Sequence, residues 1–319
     1  MATPRVVFMG TGEIALPTLR WLRQASPVEL VALVTQPDRP AGRARVLTPP
    51  APKRELHGSG LPVLQPERLR RSTAVEELKQ LRPDLIVVMA YGQILPKVVL
   101  ELPSIACLNL HASLLPKHRG AAPIQAALVA GDRETGITVM HMSEGLDSGD
   151  IVLQKVLPIR RRETGANLHD RLATLGPAAL SDALTLLLEG KAPRTPQVDA
   201  EATYAPKLDR DSGRIDWQCN CWHLDRLVRA MYSWPGAYTE LADQTGVKRR
   251  LKVQRALPVH RRTGAPGTIL GLGPRGILVA CGTGSLLLKE VQLEGKRQLA
   301  AADFARGMRL QLGQVLDGQ

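Results

Sequence analysis

The sequence predicts an α/β protein in two parts: a Rossmann-like, mostly parallel sheet domain, then a smaller C-terminal β-barrel of the OB-like kind. Three observations carry this. The chain has 319 residues, enough for about two domains at ~150 residues each. Over the first 190 residues, short apolar β-branched runs alternate with stretches of helical spacing, which is the pattern of βαβ units. Beyond about residue 208 the pattern becomes short runs divided by glycines and turn residues, which suits a small barrel.

The strands expected in the first part are 6–9, 28–35, 85–89, 106–111 and 137–142. Helical spacing runs over 14–24, 121–130 and 168–188, with Gly176-Pro177 as an expected break in the last. A Pro-rich stretch from Lys191 to Val198 opens an expected linker at 191–208, between a first domain of 1–190 and a second of 209–319. In the second, a helix near 222–231 precedes runs at 251–255, 276–281 and 285–291.

A hydrophobic fraction of 44% and a charged fraction of 23% are ordinary for a globular protein and exclude disorder, collagen or coiled coil for the whole chain. No uninterrupted apolar run approaches the ~18 residues of a membrane span. The chain opens on a strand-like run rather than a signal segment. Four cysteines make no disulfide framework in a chain of this size. These features lead to the expectation of a cytoplasmic protein with no membrane partner.

Lys plus Arg number 42 and Asp plus Glu 30, a net charge of +12. Residues 1–204 hold 24 basic and 20 acidic residues, whereas 205–319 hold 18 and 10, so the shorter part carries +8. Such an excess raises affinity for polyanions through counterion release. Charge alone divides evenly between a nucleic-acid partner and none.

Three motifs carry chemistry. Gly10-Thr11-Gly12-Glu13-Ile14-Ala15 fits G-x-G-x-x-A between a strand and a helix, the dinucleotide-binding pattern. That reading needs an acidic residue ending the second strand, yet Val34-Thr35-Gln36 stands there and Asp38 follows only after Pro37. A tight turn without a dinucleotide is the better reading, and a nicotinamide-dependent oxidoreductase the weaker one. In Cys107-Leu-Asn109-Leu-His111-Ala-Ser113, alternate residues share a strand face, so Asn109, His111 and Ser113 project together. A strand buried on both faces should be nearly all apolar; an amide and an imidazole near its carboxyl end mark the place where open α/β sheets bind ligands. Glu144-Gly-Leu-Asp147-Ser-Gly149-Asp150 follows the next strand. Asp147 there is either a turn carboxylate or a carboxylate brought beside His111 to orient it.

The segments Asn109-Leu-His111-Ala-Ser113-Leu-Leu-Pro116, Arg119-Gly-Ala-Ala-Pro123-Ile-Gln125 and Gly145-Leu-Asp147-Ser-Gly149-Asp150 resemble the folate-dependent formyltransferases. Further segments resemble the member of that family acting on aminoacyl-tRNA: Thr35 to Arg43, Thr203 to Leu208, Ile215-Asp-Trp217, Trp234 to Thr239 and Phe304-Ala-Arg-Gly307. The likeness runs in order over essentially the whole chain. His118 stands where the family more often has an aromatic, Ser143 where an acidic residue is common, and Ser148 where threonine is usual. None of these touches Asn109, His111 or Asp147.

The resemblance implies transfer of the formyl group of 10-formyltetrahydrofolate to the α-amino group of methionyl initiator tRNA. In that chemistry His111 is the expected general acid/base, an effect worth ~10²–10⁴-fold. Asn109 is the expected oxyanion donor, worth on the order of 3 kcal/mol, and Asp147 orients His111 and holds it charged. By resemblance, Ser113, Leu114, Leu115 and Pro116 line the folate pocket, and Arg43 contacts the tRNA acceptor end. Lys248, Arg249 and Arg250, with Lys252, Arg261 and Arg262, are expected phosphate contacts. Cys107 reads as a buried structural thiol. Cys219 and Cys221 lack a second ligand pair, so no metal is expected. Of ten aromatics, seven lie from Tyr204 onward, and most read as barrel core rather than as a base-stacking platform. Recognition would then rest on backbone charge and RNA shape, by a monomer. The rival readings are a formyltransferase acting on an amino sugar nucleotide, the oxidoreductase, and a tRNA-binding module without catalysis.

Overall fold

The computed structural model describes residues 2–42, 45–242, 246–260 and 264–317. Two compact units result. The first comprises Met1–Pro123, Glu134–Pro158 and His169–Ala205; the second comprises Ile124–Arg133, Ile159–Leu168 and Pro206–Gln319.

The first unit is built on seven strands: β1 (Arg5–Gly10), β2 (Glu29–Val34), β3 (Val63–Leu64), β4 (Leu85–Met89), β5 (Ala106–His111), β6 (Glu134–His141) and β7 (Ile151–Pro158). Their spatial order is β7-β6-β5-β4-β1-β2-β3. β1 to β5 pair in parallel. Their residues are almost wholly apolar and buried, as strands covered on both faces must be: Val6, Val7, Phe8, Met9, Leu85, Ile86 and Val87 have no exposed surface. The order reverses between β1 and β4, the switch point beside which such sheets open a crevice.

β6 and β7 run antiparallel, and this matters for the site. Leu108 faces His141 and His111 faces Thr138, so the carboxyl end of β6 lies level with the first half of β5. The 143–150 loop therefore starts far from the edge where His111 ends its strand, and must fold back over the sheet face to reach it.

Helix α1 (Leu16–Gln24) follows β1, and helix α2 (Gly165–Leu188) is the longest. The break expected at Gly176-Pro177 does not occur: α2 continues through Pro177. Gly176 is needed there for another reason, because a Cβ at that position would lie 2.5 Å from the Thr18 hydroxyl of α1. By length and composition α2 is long and apolar enough to cross a membrane, although polar residues interrupt its apolar ones. Its Leu172, Ala179, Leu180, Ala183 and Leu184 are fully buried, so these side chains form core.

The second unit holds an antiparallel sheet of β8 (Ala237–Ala242), β9 (Lys248–Val259), β10 (Ile269–Gly273), β11 (Gly276–Ala280), β12 (Ser285–Leu293) and β13 (Gln298–Ala300). The order is β8-β9-β12-β11-β10, with β13 beside β12. Val315 bridges Thr268 next to β10, and Asp317 bridges Glu240 on β8, so the terminal segment joins both edges and closes the barrel. Leu251, Ile277, Val279, Leu286, Leu288 and Val291 fill it. Helix α3 (Cys221–Ala230) packs on β9 with Leu224 and Val228 buried. It is capped by Asn220, whose Oδ1 accepts from the His223 N–H at 2.8 Å. Asp225 of α3 is buried between the guanidinium groups of Arg162, at 2.5 Å, and Arg229, at 3.0 Å. These bonds tie residues 159–168 to the barrel unit.

The aromatic expectation needs correction. Trp217, Tyr238 and Phe304 are buried, but Tyr204, Trp222, Tyr232 and Trp234 are exposed. Tyr204 lies in a short strand of the first unit beside Arg119, Trp222 on the outer side of α3, and Tyr232 and Trp234 in the turn after it, where the inward register of the barrel does not apply.

Candidate active site

On β5, Cys107, Asn109 and His111 occupy one face, while Leu108 and Leu110 occupy the other. Both polar side chains are buried, at 8% exposure for Asn109 and 6% for His111. Such groups must find partners, and they find them in two loops.

The first loop follows His111. The imidazole Nε2 lies 2.9 Å from the carbonyl of His118; a carbonyl only accepts, so Nε2 carries the donated proton and Nδ1 is the nitrogen left to exchange one. Between the two histidines runs a turn held from β6 and β7. Ser113 Oγ donates to the Lys117 carbonyl at 2.6 Å. The Thr138 hydroxyl donates to the Ser113 carbonyl at 2.6 Å and accepts from Leu115 N–H at 3.1 Å. Gln154 Nε2 donates to the Leu115 carbonyl at 2.8 Å. A Cβ on Gly136 would lie 2.7 Å from a Leu114 methyl, so Leu114 rests on β6. The four residues Ser113 to Pro116 are thus fixed as a rigid lip beside His111.

The second loop brings Asp147. Its Oδ2 accepts the Gly120 N–H at 2.8 Å and lies 3.5 Å from His111 Nδ1. Its Oδ1 accepts from Asn109 Nδ2 at 3.3 Å. The three residues singled out in the sequence thus converge on one face, though Asp147 is 38 positions from Asn109. The Asn109 amide nitrogen has two hydrogens, so one serves Asp147 and the other remains for an incoming oxygen. Asp147 holds a left-handed backbone, φ 48°, a conformation that aspartate tolerates better than most residues.

Gln197 bonds this loop from outside it, and no local pattern in the sequence marks that residue. Its Nε2 donates to the carbonyls of Asp147, at 2.9 Å, and Gly149, at 2.8 Å. It lies in the Pro-rich stretch with neither strand nor helix periodicity. Arg119, quoted above only within a motif, is also buried, and its guanidinium bonds Gln197 Oε1 and Asp199.

Other residues fall elsewhere. Thr11 and Gly12 donate their backbone N–H groups to the Ala90 carbonyl at 3.1 and 3.3 Å. These amides are committed within the protein, where a dinucleotide site would offer them to a phosphate. Asp38 is held by Lys53 and Gln65. Burial pushes the Cys107 thiol up to about 12, which suits a structural residue. Cys221 is buried in the barrel core, and the Cys219 thiol donates to Asp216. Arg43, Arg261 and Arg262 lie outside the described residues. On β9, Lys248 pairs with Asp317; Arg250 pairs with Asp211 at 2.7 Å and stacks 4.3 Å from the Tyr238 ring centroid; Lys252 donates to the Pro235 carbonyl.

Comparison with known proteins identifies the family of the chain. The formyl transferase family model matches residues 4–184, and the formyl transferase C-terminal domain model matches 207–309. The methionyl-tRNA formyltransferase of Geobacter sulfurreducens is 47% identical over 313 residues, covering 98% of this chain and 96% of that protein. That of Akkermansia muciniphila is 46% identical, covering 95% and 96%. Among solved structures, HypX from Aquifex aeolicus in complex with tetrahydrofolic acid superposes with a TM-score of 0.61 at 19% identity, covering 98% of this chain and 49% of HypX. An N-formyltransferase from Helicobacter canadensis, in complex with folinic acid and dTDP-3-aminofucose, gives 0.63 at 14% identity, covering 90% and 99%. These two likenesses show a shared fold.

Proposed function

The chain belongs to the formyl transferase family, and from that premise we propose that it transfers the formyl group of 10-formyltetrahydrofolate to the α-amino group of methionyl initiator tRNA. The observation that carries this reading is the convergence of an amide N–H, an imidazole and a carboxylate on one buried strand face, in a chain matched end to end by relatives of that name.

Acyl transfer to an amine needs a donor for the oxyanion and a route for one proton. Asn109 supplies the first through its second Nδ2 hydrogen. The amine nitrogen bonds to the formyl carbon and the carbonyl electron pair moves to oxygen, where Asn109 meets it. His111 Nδ1 takes the proton that the amine loses. The resulting imidazolium faces the Asp147 carboxylate and the His118 carbonyl, both acceptors. The same proton then goes to the departing folate nitrogen as the carbonyl reforms. This sequence needs no covalent intermediate and no metal. The lip of Ser113, Leu114, Leu115 and Pro116 is the wall against which the folate is read to bind.

We read the first unit as the seat of the chemistry and the basic second unit, with Lys248, Arg249 and Arg250, as the part that holds the tRNA backbone. Arg43 is read as a contact to the acceptor end. The protein is read as a cytoplasmic monomer with no membrane partner.

The test is incubation with 10-formyltetrahydrofolate and charged initiator tRNA, following formyl-methionyl-tRNA. His111→Ala should lower turnover by ~10²–10⁴-fold with tRNA affinity little changed. Formylation of an amino sugar nucleotide without transfer to the tRNA would overturn the acceptor. Loss of tRNA binding as the chief effect of His111→Ala would overturn the role of that residue.

A further inference from the structure

The segment 195–205 runs as a strap across both loops that flank His111. Thr195 pairs with Ile151 through two backbone bonds of 2.8 and 3.0 Å. Gln197 donates to the carbonyls of Asp147 and Gly149. Thr203 Oγ1 accepts the His118 N–H at 2.8 Å, and the Thr203 carbonyl accepts the Arg119 N–H at 2.8 Å. Tyr204 and Ala205 then pair in parallel with Arg119 and Gly120. The strap thus holds the residue whose carbonyl receives His111 Nε2 and the loop whose carboxylate faces His111 Nδ1.

Within the strap, Gln197 is the side chain that reaches the Asp147 loop. The orientation of its amide is fixed by chemistry: Oε1 receives Arg119 Nε and Nη2 at 3.0 and 2.9 Å, so the amide nitrogen must face the two carbonyls. Flipping it would set N–H against a guanidinium and oxygen against two oxygens. Arg119, buried at 3% exposure, is anchored in turn by Asp199 at 2.8 Å. The loop it secures needs securing. It leaves β6 level with Cys107, where Met142 N–H meets the Cys107 carbonyl, crosses the sheet face, and presents Asp147 in a left-handed conformation.

We propose that Gln197 is a positioning residue for formyl transfer, fixing the 147–149 backbone so that the Asp147 carboxylate meets Asn109, Gly120 and His111 together. This rests on the proposed function for its kinetic consequence, though not for its structural one. Gln197 touches no reacting atom in this account; it acts through Asp147.

The decisive variant is Gln197→Glu, which keeps an oxygen for Arg119 and replaces the donor to the two carbonyls with an acceptor. Backbone amide exchange in the 143–150 loop should become at least about fivefold faster, the size expected for losing one or two net hydrogen bonds, with exchange in β1 and β4 unchanged. With wild-type transfer to the tRNA as reference, kcat should fall on the order of 10- to 100-fold while KM stays within about twofold. Asp147→Asn and the Gln197→Glu/Asp147→Asn double variant should be equally slow, since both act on one group. Gln197→Met, which removes the bonds without adding a charge, should behave like the glutamate variant and guards against misfolding of the latter. Wild-type exchange in the loop of both variants, or rate losses that add to that of Asp147→Asn, would overturn the proposal. A wild-type protein that forms no formyl-methionyl-tRNA would overturn the acceptor reading instead, and the exchange measurement would still decide the clamp.

Discussion

β5 carries polar residues beside a wholly apolar parallel strand, β9 carries them within a mixed barrel sheet, and the two strands treat them in opposite ways. β5 buries Asn109 and His111 and satisfies them with groups from distant loops, so every polar atom sits in one geometry. β9 sets Lys248, Arg249 and Arg250 at the surface end of a barrel strand, with Lys248 and Arg250 in local ion pairs to Asp317 and Asp211. Buried polar groups in low dielectric are strong and specific but intolerant of change. Exposed ion pairs are weak and screened by salt. The first arrangement suits chemistry at one atom; the second suits holding a large anion by many small contacts.

The largest expected effect lies on β5. Asn109→Leu would remove the amide and leave His111 as the polar residue of a strand otherwise as apolar as its parallel neighbour β4. Formyl transfer should fall on the order of 10²–10³-fold, the usual cost of removing an oxyanion donor. Thermal stability should be nearly kept, since Asn109 gives one 3.3 Å bond to a carboxylate that also has Gly120. Calorimetry and the transfer assay on one preparation check both. A large drop in Tm with activity retained per folded molecule would make Asn109 a structural residue and dissolve the contrast.

What the sequence made legible follows the same division. Asn109 and His111 stood out because a period-2 argument on a buried strand exposes any polar intrusion, and the parallel strands β1, β4 and β5 were readable as apolar runs. The antiparallel course of β6 was not, because an apolar run does not carry direction. β7 was missed as well, since Gln154-Lys155 interrupts its apolar residues without alternation. The helix through Pro177 defied the local rule because its buried face and the close approach at Gly176 outweigh one lost backbone bond. Gln197 was illegible for a plainer reason: its partners lie 48 to 78 positions away, and nothing local marks an extended Pro-rich segment as part of a site. The charge of β9 was visible from composition, but Asp211 and Asp317, at 39 and 69 positions' remove, were not visible as its partners.

A middle-sized effect is expected on β9. Replacing Lys248, Arg249 and Arg250 together with alanine should weaken tRNA binding and lower the salt slope of log K by about one to three, since each phosphate contact contributes about 0.9. Because Lys248 and Arg250 already face carboxylates, Asp211→Asn with Asp317→Asn should act in the reverse direction, tightening binding and steepening the slope. Filter binding across a salt series measures both. Slopes unchanged in both variants would remove β9 from the RNA surface and leave its charge as ordinary solvation.

The smallest effect tests whether the β9 pairs persist in solution. The Tyr238 hydroxyl, at 2.9 Å, and then the Arg250 guanidinium hold the Asp211 carboxyl below its ordinary range. A carboxyl whose folded value is depressed contributes stability that is present above the ordinary carboxylate range and is lost as pH falls through the depressed value. Titrated by carboxyl carbon NMR, Asp211 should therefore protonate at a lower pH than an exposed aspartate. Tyr238→Phe should raise the midpoint most, because it removes the largest cause, and Arg250→Met should raise it less. A wild-type midpoint in the ordinary range would mean that the pair does not form. Arg250 would then be as available to a phosphate as a solvated side chain, and the Asp211→Asn half of the double variant should no longer tighten RNA binding. The two measurements constrain each other, so the contrast between satisfied burial on β5 and exchangeable pairing on β9 can fail at either strand independently.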